Sequence, residues 1–119
     1  METFALVRPE HLNHFGFLFG GQLLKWVDEY AWLAATREYP HSRLVTRALD
    51  KIDFKTQIPN GSILRFVIER VRVGTTSVRY KVEVAGRAPG TAAEAAVFST
   101  TITFVAVDDR GCKTVLPGP

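Results

Sequence analysis

The chain has 119 residues, a net charge of +3, 46% hydrophobic and 23% charged residues, and a single cysteine. That length and composition fit one folded domain spanning residues 1–119, and they exclude a disordered chain or a scaffold stapled by internal disulfides. The basic residues are scattered rather than massed, so no dedicated nucleic-acid module is signalled, while a mild positive charge is compatible with a phosphate-bearing ligand.

The elements read in chain order as follows. Residues 2–8 form a short strand closed by Pro9, and residues 10–18 a loop or single turn. METFALVRPEH carries an acid at its second position and no long apolar run, so neither a targeting segment nor a membrane span is expected, and the cytoplasm is the expected location. A helix is predicted from about Gly20 to Tyr39, stopped by Pro40. Four β segments follow: Arg43–Lys55, Ser62–Val73, Ser77–Gly86 and Ala92–Val107. Pro59-Asn60-Gly61 and Gly74-Thr75-Thr76 punctuate them. In the third, Val78, Tyr80, Val82 and Val84 alternate with Arg79, Lys81 and Glu83, the period of a half-buried strand. Tight turns between successive strands predict an antiparallel meander with the helix covering one face, an α+β architecture. Cys112, in a Gly- and Lys-flanked segment, reads as an incidental thiol of a reducing compartment.

Two adjacent acids on the helix read differently. The helical neighbours of Asp28 are Leu24, Ala31, Trp32 and Ala35, all apolar, so Asp28 is expected to be partly desolvated. Glu29 has Lys25 one turn back and belongs to a solvated edge. A desolvated carboxylate either finds hydrogen-bond partners as a structural residue or serves as a base. Gly20-Gly21 begin the helix and leave unshielded N–H groups at its positive end, where an anion or oxyanion can bind; equally, glycines allow close packing there. Asn13 can orient a water or a carbonyl, or simply form a turn. His11, His14 and His41 lack any metal-ligand pattern, so no metal is expected, and Trp26, Tyr30 and Trp32 read as core or interface residues.

Asn13, Gly16, Phe19, Gly20 and Gly21, with Asp28 seven residues on, form the pattern N-x-x-G-x-x-F-G-G…D. It resembles that of the hotdog-fold acyl-coenzyme A thioesterases, the group that includes bacterial and brain acyl-CoA hydrolases. The likeness extends through Val45-Thr46, Asp50, Phe54, Pro59, Gly61, Gly74-Thr75-Thr76-Ser77 and Phe104–Asp108, covering about Arg8 to Gly111; Lys55–Ile58 departs from it, being longer or more polar than the family's tight F-x-x-P form. The resemblance implies a hotdog fold, in which an antiparallel sheet of about five strands wraps one long central helix. It also implies a homodimer joined sheet edge to edge, with active sites at the interface, and larger assemblies such as a trimer of dimers. The activity implied is hydrolysis of acyl-CoA to free fatty acid and CoA. Asp28 would be the general base or, as a lesser reading, a nucleophile. Asn13 of the facing subunit would position water or the carbonyl, and the Gly20 or Gly21 N–H would hold the oxyanion. Gly74, Thr75, Thr76 and Ser77 would form a turn near the coenzyme A moiety, which is part of the substrate, so no separate cofactor is implied. Arg72, with Arg70, Arg79 and Lys81, flanks this turn and would either meet the coenzyme A phosphates or be an ordinary solvated strand charge.

Two other classes remain open. A non-catalytic acyl-CoA or lipid-binding module would have no need of a desolvated base. A hotdog hydratase would be expected to carry a histidine on the helix, where this chain has Asp28.

Overall fold

A computed structural model describes residues 1–118 of the chain. The elements are β1 (Glu2–Leu6), a 3-10 turn (Pro9–His11), α1 (Gly20–Glu38), β2 (Arg43–Phe54), β3 (Ile63–Val73), β4 (Ser77–Arg87) and β5 (Ala95–Val107). Most boundaries lie within a residue or two of those expected. The last strand starts three residues later than expected, because 92–94 belong to the loop after Pro89-Gly90.

The sheet has five antiparallel strands in the order β1-β3-β4-β5-β2. Only β3, β4 and β5 form the meander that the turns predict. β2 lies at the far edge beside β5, and β1 takes the place beside β3. The reason is the segment 55–62, which crosses from one side of the sheet to the other instead of making a hairpin. Its passage is fixed by backbone bonds to the loop before the helix: Leu18 N–H donates to Ile58 O at 2.8 Å, and Phe17 bridges to Pro59. Ile58 is buried, and Gly61, at φ +83°, takes the left-handed conformation that the final turn into β3 requires.

The core lies between α1 and one face of the sheet. Leu64, Phe66 and Ile68 of β3, Val78, Tyr80, Val82 and Val84 of β4, and Phe98, Ile102 and Phe104 of β5 all point into it. The helix contributes Leu23, Trp26, Val27, Ala31, Ala34 and Ala35. Three alanines on that stripe let the helix axis approach the sheet closely, while Trp26 and Tyr30 pack edge-on against Phe66. β2 is different: only Leu44 is buried, and the strand bulges twice, with Lys51 at φ 56° in the second bulge. It is a twelve-residue edge strand whose outer backbone groups have no neighbour in the sheet.

Candidate active site

Asp28 lies in the middle of α1, at the border of its buried stripe and facing β2. It is half-buried, as expected, and Glu29 is exposed. One carboxylate oxygen, Oδ1, accepts a hydrogen bond from Thr46 Oγ1 of β2 at 2.5 Å. Trp32, one turn further along the helix, donates from Nε1 to Leu44 O at 3.0 Å and so ties α1 to the start of β2. Asp28, Thr46, Lys25, Glu29 and Trp32 line one shallow cleft. The helix and the strand run in opposite directions there, so Trp32, four residues after Asp28, meets β2 two residues before Thr46. Thr46 is the residue that sequence reasoning missed as part of the site. It stands eighteen positions from Asp28, and nothing but the placement of β2 brings the two together.

Asn13 occupies a separate cleft beside the start of the helix, with Glu10, His11, Phe15, Phe19 and Gln22 among its neighbours. Its Oδ1 accepts the backbone N–H groups of Phe15 and Phe17, at 2.9 and 3.2 Å. The turn-forming reading of Asn13 is therefore correct, and it leaves the amide NH2 as the end available to a ligand. The loop is a tightly closed hairpin. Asn13 N–H donates to Phe17 O at 2.7 Å, Leu12 bridges Leu18, and Phe19 N–H donates to His11 O at 2.9 Å.

Phe19 is the helix N-cap residue and lends no side-chain cap. The N–H groups of Gly20 and Gly21 find no acceptor among the described residues, whereas those of Gln22 and Leu23 bond to Phe19 O at 3.0 and 3.2 Å. Gly21 lets the Phe19 ring lie over the helix start: a Cβ there would meet the ring edge at 2.5 Å, so a larger residue would require the exposed Phe19 side chain to move aside. Two bare N–H donors thus stand at the positive end of a nineteen-residue helix, beside the Asn13 loop.

Within one chain these two groups of residues do not converge. Asp28 lies eight positions beyond Gly20 along the helix, a rise of about 12 Å. Asn13, Gly20 and Gly21 form one lobe, and Asp28 with Thr46 forms the other.

The turn Gly74–Ser77 joins β3 to β4 at the end of the sheet nearest Thr46. Val78, Phe104 and Thr46 share one row across β4, β5 and β2, which puts that row's ends about 10 Å apart. The turn is rigidly held. Gly74 N–H donates to Ser77 O at 2.7 Å, Leu116 N–H to Thr75 O at 2.9 Å and Ala106 N–H to Thr76 O at 2.8 Å. Of the basic residues nearby, Arg70 donates to the Tyr39 hydroxyl at 3.1 Å, Arg79 to Thr103 Oγ1 at 3.3 Å, and Lys81 lies 3.6 Å from Glu83. Arg72 has no such partner among the described residues and is exposed.

His14 and His41 are exposed, and Trp26 is in the core. Among the described residues no cluster of three or more His, Cys, Asp or Glu side chains is arranged to hold a metal. No helix among them is long and apolar enough to cross a membrane.

A single helix laid across a five-stranded antiparallel sheet is the architecture of the hotdog class. The thioesterase superfamily pattern matches residues 15–93. An uncharacterized acyl-CoA thioester hydrolase of Zymomonas mobilis is 34% identical over 111 residues, covering 92% of this chain and 74% of that protein. One from Haemophilus influenzae is 30% identical over 116 residues, covering 95% and 75%. Among solved structures, a hexameric broad-specificity acyl-coenzyme A thioesterase superposes with a TM-score of 0.86 at 29% identity, over 97% of this chain and 79% of that one. The Staphylococcus aureus acyl-CoA hydrolase in complex with butyryl coenzyme A and coenzyme A gives 0.87 at 30%, over 99% and 71%. The chain belongs to the thioesterase superfamily and has the fold of its hotdog acyl-CoA thioesterases.

Proposed function

We propose that the chain hydrolyses acyl-coenzyme A thioesters to a free carboxylic acid and coenzyme A, with Asp28 as the general base, at sites shared between two copies. Family membership supports the reaction class. The observation that carries the residue assignment is the Asp28–Thr46 bond. It fixes one carboxylate oxygen, Oδ1, and so leaves Oδ2 to take a proton from water.

The hydroxyl oxygen so generated adds to the thioester carbon, and the carbonyl oxygen becomes an oxyanion. The Gly20 and Gly21 N–H groups and the Asn13 amide are the donors suited to hold it, each such donor being worth roughly 3 kcal/mol in the transition state. The intermediate collapses with cleavage of the C–S bond. The coenzyme A thiolate departs, and the proton held by Asp28 passes to it. Within this scheme Asn13 acts through its NH2 group on the carbonyl oxygen, because its own carbonyl is engaged by Phe15 and Phe17.

The two lobes within a chain are too far apart for one thioester. Asn13, Gly20 and Gly21 of one copy are therefore proposed to meet Asp28 and Thr46 of a second, with β2 edges paired between them. Alanine variants of the staphylococcal enzyme have been solved at an asparagine and an aspartate that stand as far apart in its sequence as Asn13 and Asp28 do here, and another at a threonine. Several structural neighbours are hexameric, which favours a trimer of such dimers. Arg72 and the Gly74–Ser77 turn are proposed to meet coenzyme A. The scheme uses no further cofactor, and a cytoplasmic setting suits both this substrate and the exposed free thiol of Cys112.

Thiol release from a panel of acyl-CoA chain lengths tests the reading. Wild type is expected to turn over at least one member, and Asp28→Asn to lose about a hundredfold or more in kcat. Full activity in the variant would remove Asp28 from the chemistry, and inactivity of the wild type on every thioester would favour a binding module.

A further inference from the structure

The hairpin that carries Asn13 stands on one residue that the chemistry above does not use. His11 closes the 3-10 turn, where Arg8 N–H donates to its Nδ1 at 3.0 Å. Its carbonyl oxygen accepts the Phe19 N–H at 2.9 Å, the last rung of the hairpin and the residue before α1. Its ring packs edge-on to Trp26, with centroids 4.8 Å apart and an interplanar angle of 77°. One side chain and one carbonyl thus join the segment before the hairpin, the hairpin itself and the buried face of the helix.

A ring nitrogen that accepts an N–H carries no proton, so the arrangement requires the neutral imidazole with its hydrogen on Nε2. We propose that His11 is a positioning residue that, as the Nε2–H tautomer, locks the Asn13 hairpin to the N-terminus of α1. The Asn13 amide and the Gly20 and Gly21 N–H groups then form one rigid donor frame. Without the Nδ1 bond the turn Pro9–His11 is held to Arg8 only by its backbone bond, His11 N–H to Arg8 O at 2.9 Å, and the His11 O to Phe19 N rung that aims the frame can shift. Small misplacements of donors lower the rate of the chemical step more than substrate affinity. This inference rests on the proposed role of Asn13 and the glycines.

Three substitutions separate its parts. His11→Phe keeps an aromatic edge against Trp26 and removes the acceptor. His11→Asn restores an acceptor at the position of Nδ1, because Asn Oδ1 is likewise two bonds from Cβ. His11→Gln places its amide near the position of Nε2 instead. The expected result is a fall of about tenfold in kcat for His11→Phe with KM within about twofold of wild type, and recovery of most of the loss in His11→Asn. A wild-type kcat in His11→Phe, or rescue by Gln and not by Asn, would overturn the proposal. Long-range 1H–15N spectra of the substrate-free protein report the tautomer directly: Nε2–H is expected, and Nδ1–H at neutral pH would contradict it. If His11→Phe fails to fold, the tautomer and the Asn–Gln comparison still decide. Because the spectra need no turnover, failure of the Asp28 assignment is distinguishable from failure of this one.

Discussion

The carbonyl oxygen of Asn13 is engaged twice by its own hairpin, and this fixes what the residue can do. Asn13→Asp keeps an oxygen for the Phe15 and Phe17 N–H groups and replaces the donor NH2 with a second acceptor. The expected outcome is a loss of about a hundredfold in kcat with a melting temperature within a few degrees of wild type. Steady-state kinetics and calorimetry check it, and retained activity would exclude a donor role. At this scale the sequence was informative where chemistry follows local spacing. The interval from Asn13 through Gly20-Gly21 to Asp28 can be read along one loop and one helix, and helical periodicity alone separates Asp28 from Glu29. Thr46 could not be read in this way. A threonine in an alternating strand is ordinary, and its bond to Asp28 exists only because β2 lies against that part of α1.

At the scale of elements, α1 is held at both ends by different means. Its start is tied by Phe19 to His11, and its end by a cluster of polar side chains. There the Tyr80 hydroxyl donates to Glu38 Oε1 at 2.5 Å, and Arg70 bridges Tyr39 and Glu38, at 3.1 and 3.8 Å. Burial first, and then the Glu38 carboxylate, push the Tyr80 hydroxyl well above its ordinary value of 10.0, and burial followed by Glu29 raises Tyr30 as well. A phenol raised in the folded state stays neutral there while the unfolded chain ionises. Its contribution to stability is therefore complete below about pH 10 and is lost progressively as pH rises above that value. Urea unfolding from pH 8 to pH 11 should show wild type losing stability on the alkaline side. Tyr80→Phe should be about 1 kcal/mol less stable at neutral pH and should show a shallower alkaline decline. An unchanged alkaline slope would contradict the assignment. The extent of each element was legible from Pro40, the turn residues and the period-2 runs. The order of strands was not, because Pro59-Asn60-Gly61 specifies a reversal but not which strand lies beyond it. The crossing of segment 55–62 is set by its bonds to the loop before α1.

For the whole molecule, the open edge of the sheet and a group of exposed apolar residues adjoin the two lobes. β2 is a long outer strand bearing exposed Val45, Ile52 and Phe54, and Phe15 and Phe19 stand exposed beside the bare helix start. Grouped apolar residues next to an open strand edge mark an association surface. In a two-fold dimer each copy would give its Asn13 lobe to one site and its Asp28 lobe to the other, so that one copy's Asn13 lobe faces the other's Asp28 lobe. Mixing two inactive variants tests this most directly. Asn13→Asp and Asp28→Asn proteins, refolded or co-expressed together, should form mixed dimers in which one of the two sites is intact, recovering about a quarter of wild-type thioesterase activity at equal proportions. If native mass spectrometry shows mixed dimers and no activity returns, the site is not shared between copies.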